Sequence, residues 1–311
     1  MSHMFVRGRR AALTLVTALA LAACSKNETP APAADAPSPA NAPAAAGNGA
    51  PQIVTSADGV HIEYHVYGKG EPAVILIHGW SCDGNYWSAQ LADLKAQYTT
   101  VTVDLAGHGA SGRNRTDWSM GNFGEDVAAV ARQLQNMKIV LVGHSMGAPV
   151  ALEATRRIGD RVVGIIAVDS LKTIGEPMPT DAQVKAWVQP FRDNFIGHTR
   201  EFVTGTLFTK DADPKFVQKV AYDMALEPAD VAVAAMESLL RMDFAKVLPD
   251  IHVPIVAINS SLPPPTDAAR VRKSIPTFKV ITLEKTDHFL MMDAAERFNP
   301  VLLQEIAALT N

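Results

Sequence analysis

Along the chain from residue 51, polar and apolar positions first alternate and then segregate into blocks. Val60, Ile62, Tyr64 and Val66 interleave with His61, Glu63 and His65, the period of two expected of a half-buried strand. Unbroken apolar runs follow at residues 73–77, 99–103, 139–142, 162–168, 255–258 and 280–283. Such runs suit central strands of a parallel sheet covered on both faces. Helix-length patterns lie between them at 87–97, 123–137 and 146–158. Strand–helix alternation predicts right-handed crossovers and an α/β fold with a mostly parallel, doubly wound sheet. The alternation stops between about residues 171 and 249, where helical patterns at 181–194, 199–208, 214–226 and 228–242 follow one another without a strand. Asp181, Asp213 and Pro228 resemble helix starts, through a capping oxygen or a preset φ. This stretch is expected to be a helical lid inserted over the strand ends.

The N-terminus has a different character. Arg7, Arg9 and Arg10 precede an apolar run, residues 11–23, that is too short to span a bilayer comfortably. The segment reads as an export signal covering residues 1–23. Its end, Leu21-Ala22-Ala23-Cys24, resembles a bacterial lipobox, which implies lipidation of Cys24 and anchoring to a membrane. Ser25 follows the cysteine where an aspartate would favour the inner membrane, so the outer membrane is expected, with the protein facing the periplasm or the exterior. Between Ser25 and Ala50, 10 of 26 residues are alanine and 5 are proline, with no hydrophobic period. That composition cannot bury enough surface to offset its ordering entropy, so residues 24–50 are expected to form a tether and 51–311 the folded domain.

Composition narrows the partners. Of 311 residues, 48% are hydrophobic, which is ample for a full core. With 28 basic and 32 acidic residues the net charge is −4, against the basic surplus of a nucleic-acid binder. Removal of the signal takes three arginines and no acid, leaving −7. Two cysteines exclude a disulfide scaffold and a four-cysteine zinc site, and lipidation of Cys24 leaves Cys82 as a small packed residue. His61, Glu63 and His65 share one strand face but lack the helical spacing of a zinc protease, and read as solvated polarity. No cofactor, metal or glycine-rich phosphate loop is implied.

The candidate chemistry begins at Gly143-His144-Ser145-Met146-Gly147, between the apolar run 139–142 and the helix pattern that follows. A serine on a strand-to-helix turn is held in strained dihedrals, needs small neighbours, and lies near the N–H groups of the helix start. Three more motifs accompany it: His78-Gly79-Trp80 after an apolar strand, Asp104-Leu105-Ala106-Gly107-His108-Gly109-Ala110-Ser111, and Asp287-His288-Phe289 after the last strand. Together, over about residues 53–310, they resemble the α/β-hydrolase fold family. The resemblance implies Ser145 as nucleophile, His288 as general base and acid, and the backbone N–H groups of Trp80 and Met146 as an oxyanion hole. His78, His108 and His144 are expected to orient loops.

The acid departs from the family pattern. Its usual position, just after the strand at 255–258, reads Asn259-Ser260-Ser261-Leu262-Pro263-Pro264-Pro265-Thr266-Asp267, with no early carboxylate. Some family members take the acid from the end of the preceding strand, which here offers Asp169; Asp267 is the alternative. The expected function is hydrolysis of a carboxylic ester or related small acyl substrate through a Ser145 acyl-enzyme. Amide or C–C cleavage by the same serine, and a ligand-binding or signalling protein that keeps the hydrolase shell with little turnover, stand as alternatives. Epoxide and haloalkane hydrolases of this fold carry aspartate where Ser145 stands. Trp187, Phe191, Phe195, Phe202, Phe208 and Met224 are candidates for an apolar substrate surface or for the interior of the lid.

Overall fold

The computed structural model describes residues 47–311; the expected export signal, Cys24 and the expected tether as far as residue 46 lie outside the described residues. The chain forms β1 (Gly47–Thr55), β2 (His61–Gly68), β3 (Ala73–Ile77), α1 (Leu91–Lys95), β4 (Thr99–Val103), α2 (Met120–Gln133), β5 (Ile139–His144), α3 (Gly147–Ile158) and β6 (Val162–Val168). Five helices follow without a strand: α4 (Asp181–Asp193), α5 (Phe195–Thr206), α6 (Pro214–Ala225), α7 (Ala229–Leu240) and α8 (Phe244–Val247). The chain then completes β7 (Ile255–Ser260), α9 (Ala268–Arg272), β8 (Lys279–Leu283), α10 (Leu290–Asp293) and α11 (Ala295–Thr310).

The eight strands make one sheet in the order β1-β2-β4-β3-β5-β6-β7-β8. β1 and β2 pair antiparallel, as do β2 and β4, and the remaining pairs are parallel. The apolar runs occupy the centre: every residue of β3 is fully buried, and all of β5 is buried. β1 starts at Gly47, so the folded domain begins before the expected boundary at 51. This strand is not anticipated by the hydrophobic pattern, because it is an edge strand with no buried position and a register shift between Asn48 and Pro51. On β2, His65 is bound through Nδ1 to the Gly49 carbonyl and through Nε2 to Glu63, a strand-surface role. α11 is likewise unanticipated, since Pro300 within it reads as a breaker.

The helical insertion between β6 and β7 follows the sequence pattern, with one correction at its start. Thr180, not Asp181, caps α4: its hydroxyl accepts the Gln183 N–H while the Gln183 side chain accepts the Thr180 N–H. Asp213 caps α6 by accepting the Lys215 N–H, and Pro228 precedes α7 without a side-chain cap. Among the described residues no helix is long and apolar enough to cross a membrane.

Strand order also places the site. From β3 the chain moves outward to β4, then returns to lay β5 on the other side of β3. The carboxyl ends of β3 and β5 therefore flank a switch point, where an open α/β sheet leaves a crevice for ligands. The loops carrying Trp80 and Ser145 leave the sheet there. Asp169 follows β6 and Ser260 ends β7 on the same side, and His288 follows β8.

Candidate active site

Ser145 occupies the turn between β5 and α3 with φ of 50°, a left-handed conformation that costs a non-glycine residue about 1–3 kcal/mol. The surroundings hold it there. Its N–H donates to Val168 O at 2.9 Å, and its carbonyl accepts the Ser170 hydroxyl at 2.7 Å. A Cβ on Gly143 would overlap the Gly147 carbonyl, and one on Gly147 would overlap the Ile77 carbonyl. The two glycines of the motif are thus required by close backbone approach. Gly79 packs on the serine itself, since a Cβ there would lie 3.3 Å from Ser145 Cβ.

That contact sets the 79–80 loop beside the serine. Trp80 and Met146 are both buried, and among the described residues neither backbone N–H has a protein acceptor. Buried N–H groups are rarely left so, and the turn and the loop thus present two available donors next to Ser145. The Trp80 ring is fixed elsewhere: its Nε1 donates to Ala232 O at 2.7 Å, and Phe191, Phe195 and Phe202 meet it edge-on.

His288 Nδ1 and Asp169 Oδ2 are 2.6 Å apart, with the carboxylate almost wholly buried. Asp169 too has a positive φ, 43°. Its second oxygen, Oδ1, accepts from Ser260 N at 2.9 Å, Ser260 Oγ at 2.8 Å and Lys172 Nζ at 2.9 Å. Burial alone would raise this carboxyl's pKa, but the hydrogen bond and charge of His288, then those of Lys172, hold it well below the usual carboxylate range. Asp267 is not at this site; it caps α9 by accepting the Arg270 N–H.

The strand end after β7 therefore brings donors to the carboxylate instead of a carboxylate to the histidine. Ser260 and Lys172 are the residues that sequence reasoning misses. Ser260 ends β7 within the 259–267 segment, and a serine where an acid is expected is the available signal. Lys172 gave none, because its approach depends on the turn after β6, where Leu171 also has positive φ.

The other histidines of the motifs bind backbone. His144 Nε2 donates to His288 O at 2.9 Å, and its Nδ1 has no partner, lying against Gly79. His78 donates from Nδ1 to Gly79 O at 2.8 Å and accepts the Leu105 N–H on Nε2 at 3.0 Å. His108 bonds Ala106 O at 3.0 Å. Burial pushes His144 and His108 down to about 3 and His78 to about 4, so all three are neutral near pH 7.

This has a consequence for stability with a definite sign. Unfolded histidines take up protons from about pH 6.5 downward while the folded ones resist, so stability falls with acidification. Asp169, depressed in the folded state, adds a loss as pH drops below 3.8. Glu227, raised to about 7, and Asp293, raised to about 6, both mainly by burial, act oppositely but are partly exposed to solvent and screened. The melting temperature is expected to fall steadily from pH 6.5 to 4 in a calorimetric series. A level profile would contradict neutral burial of the three rings.

Ser145 and His288 line a common cavity of about 210 Å³, walled by aromatic and aliphatic side chains including Trp80, Trp187, Phe202, Met224 and Phe289. Of the candidate apolar surface, Trp187, Phe202 and Met224 face this cavity, whereas Phe191 and Phe195 are buried against Trp80 and Phe208 against Phe289. Cys82 is a free, buried thiol on the same wall. A second cavity of about 600 Å³ also reaches Ser145. Among the described residues no group of three or more His, Cys, Asp or Glu side chains is placed to hold a metal ion.

Comparison with known proteins agrees with this architecture. The chain is 25% identical over 241 residues to a 2-(acetamidomethylene)succinate hydrolase of Mesorhizobium japonicum, covering 74% of this chain and 86% of that one. It is 27% identical over 263 residues to a putative non-heme chloroperoxidase of Synechocystis, covering 78% and 94%. Its fold matches that of a thermophilic esterase from Thermogutta terrifontis with a TM-score of 0.73 at 22% identity, over 84% of this chain and all of that one. Residues 74–301 match the model of the alpha/beta hydrolase family, a span that takes in the Trp80 loop, the Ser145 turn, Asp169 and His288, and the chain belongs to that family.

Proposed function

We propose that the protein is a serine hydrolase that cleaves carboxylic esters or related acyl compounds through an acyl-enzyme on Ser145. The observation that carries this reading is the 2.6 Å contact of His288 Nδ1 with a buried, charge-stabilised Asp169, on a histidine that shares a cavity with a strained Ser145. In the proposed reaction His288 takes the Oγ proton as Oγ attacks the carbonyl, and the same proton goes to the leaving group as the bond to it breaks. Asp169 holds the ring with hydrogen on Nδ1 and stabilises the imidazolium. The Trp80 and Met146 N–H groups receive the developing oxyanion, each worth about 3–4 kcal/mol in such a role. The insertion α4–α8 acts as a lid over the serine.

The test is labelling with a fluorophosphonate, followed by turnover of short acyl esters. Labelling at Ser145, abolished in Ser145→Ala, is the expected result; a folded protein that is never labelled would refute the proposal. Amide cleavage is the second reading, favoured by the acetamido group in the name of the Mesorhizobium japonicum relative's substrate. Parallel assay of matched esters and amides separates the two.

From the sequence of residues 1–50 we infer that the protein is exported and held by a lipid on Cys24, through an Ala/Pro-rich tether, at a bacterial membrane, the outer one by the Ser25 rule. Cys24→Ala is expected to move the protein from the membrane fraction to the soluble fraction. Unchanged membrane association would remove the anchor from the account.

A further inference from the structure

Ser145 lines two chambers, and they differ in size and in which parts of the site they contain. The smaller, about 210 Å³, is lined by His288 and Trp80. The larger, about 600 Å³, is lined by Met146 and Asp169 but not by the His288 side chain. Leu239, near the end of α7, is the other residue that lines both.

This division orients a substrate, given the acyl-transfer reading on which the inference rests. A carbonyl carbon bonded to Ser145 Oγ has three other substituents. Its oxygen goes to the Trp80 and Met146 N–H groups. The leaving oxygen must come within about 3 Å of the base that protonates it, and that base lies in the smaller chamber. The acyl chain is left with the larger one. At roughly 30 Å³ per non-hydrogen atom, the smaller chamber holds a group of about seven such atoms and the larger about twenty. The lining of the larger chamber is mostly apolar, with Met146, Pro149, Ile174, Leu240, Met242 and Phe244, and it includes the charged Lys172, Glu176 and Asp243.

We propose that the protein acts on esters that join a medium or long apolar acyl chain to a small alcohol or phenol, with the acyl chain in the larger chamber and Leu239 fixing the limit on the leaving group. Short acyl groups fill little of the larger chamber and forgo the burial that would hold them. Alcohols beyond about seven non-hydrogen atoms meet Leu239 and the aromatic wall of Trp80, Trp187 and Phe202.

Two ester series test this, methyl esters of acids from two to twelve carbons and acetates of alcohols from one to twelve carbons. For the wild-type protein kcat/KM is expected to rise at least tenfold from methyl acetate to methyl octanoate. In the acetate series it should fall at least tenfold beyond the hexyl or benzyl ester. Leu239→Ala is expected to recover the larger acetates at least tenfold relative to methyl acetate. Leu240→Trp is expected to lower the octanoate-to-acetate ratio among methyl esters at least tenfold. The reverse wild-type profile, tolerant of large alcohols and closed to long acyl chains, overturns the orientation without need of any variant. Equal profiles for the wild type and Leu239→Ala overturn the role of Leu239. Fluorophosphonate labelling on the same samples separates the two levels: labelled protein with a reversed profile sinks this inference alone, and unlabelled protein sinks the hydrolase reading with it.

Discussion

Replacing His288 with alanine is expected to lower kcat for a preferred ester by about 10⁶-fold in a protein that still folds. A serine hydroxyl is a poor nucleophile near neutral pH, and its rate depends on a base that can take the proton as the bond forms. The nearest alternative ring is His144, whose centroid is 4.6 Å from that of His288. It cannot substitute. Its Nε2 is committed to the His288 carbonyl, its Nδ1 lies against Gly79, and burial holds its protonation down to about 3. The Trp80 and Met146 donors would survive, so a residual rate about 10³–10⁴ above the uncatalysed reaction is expected. Adding Ser145→Ala to the histidine variant should cost little more, since groups that act as a unit fail together. Steady-state assays with a titration of labelled sites would check both statements. A loss below about 100-fold would mean that another group serves as base.

What the sequence disclosed follows from burial. Central parallel strands must be apolar on both faces, so β3, β5 and β6 are visible as unbroken runs, and the turn that interrupts β5 and α3 is marked by two glycines that tolerate no Cβ. Edge elements obey no such constraint. β1 exposes or half-exposes every residue, and its sequence carries little pattern for that reason. The same logic separates the parts of the site. Ser145 and His288 are bound to motifs because their backbones must fit a tight turn and a strand end. Ser260 and Lys172 act through side chains on a carboxylate that comes from a different strand, and that pairing exists only once β6 and β7 lie side by side. Chambers are less legible still: Leu239 faces both because α7 ends over the serine, a placement set by packing across the insertion.

The choice between Asp169 and Asp267 is where sequence left two answers, and it yields the second large contrast. Asp169→Asn is expected to reduce kcat by about 10⁴-fold, because an amide presents a donor as well as an acceptor and can favour the wrong histidine tautomer, and it no longer stabilises the imidazolium. Asp267→Asn should stay within about twofold of wild type, since asparagine caps a helix as well as aspartate does. Asp169→Asn has a second effect, on stability and not on rate. Lys172 Nζ and the Ser260 hydroxyl and N–H all donate to Oδ1. With the charge gone, the ammonium of Lys172, only slightly exposed, keeps the amide oxygen and Leu262 O as acceptors and loses its counter-ion. Removing one partner of a buried ion pair commonly costs about 3–5 kcal/mol, so a lowered melting temperature should accompany the lost rate. Lys172→Met combined with Asp169→Asn removes the orphaned cation and should restore much of that stability while leaving kcat low. Recovery of stability without recovery of rate would separate the two duties of Asp169, as partner to His288 through Oδ2 and as counter-ion through Oδ1. A rate that stays within tenfold of wild type in Asp169→Asn would instead remove this aspartate from the reaction.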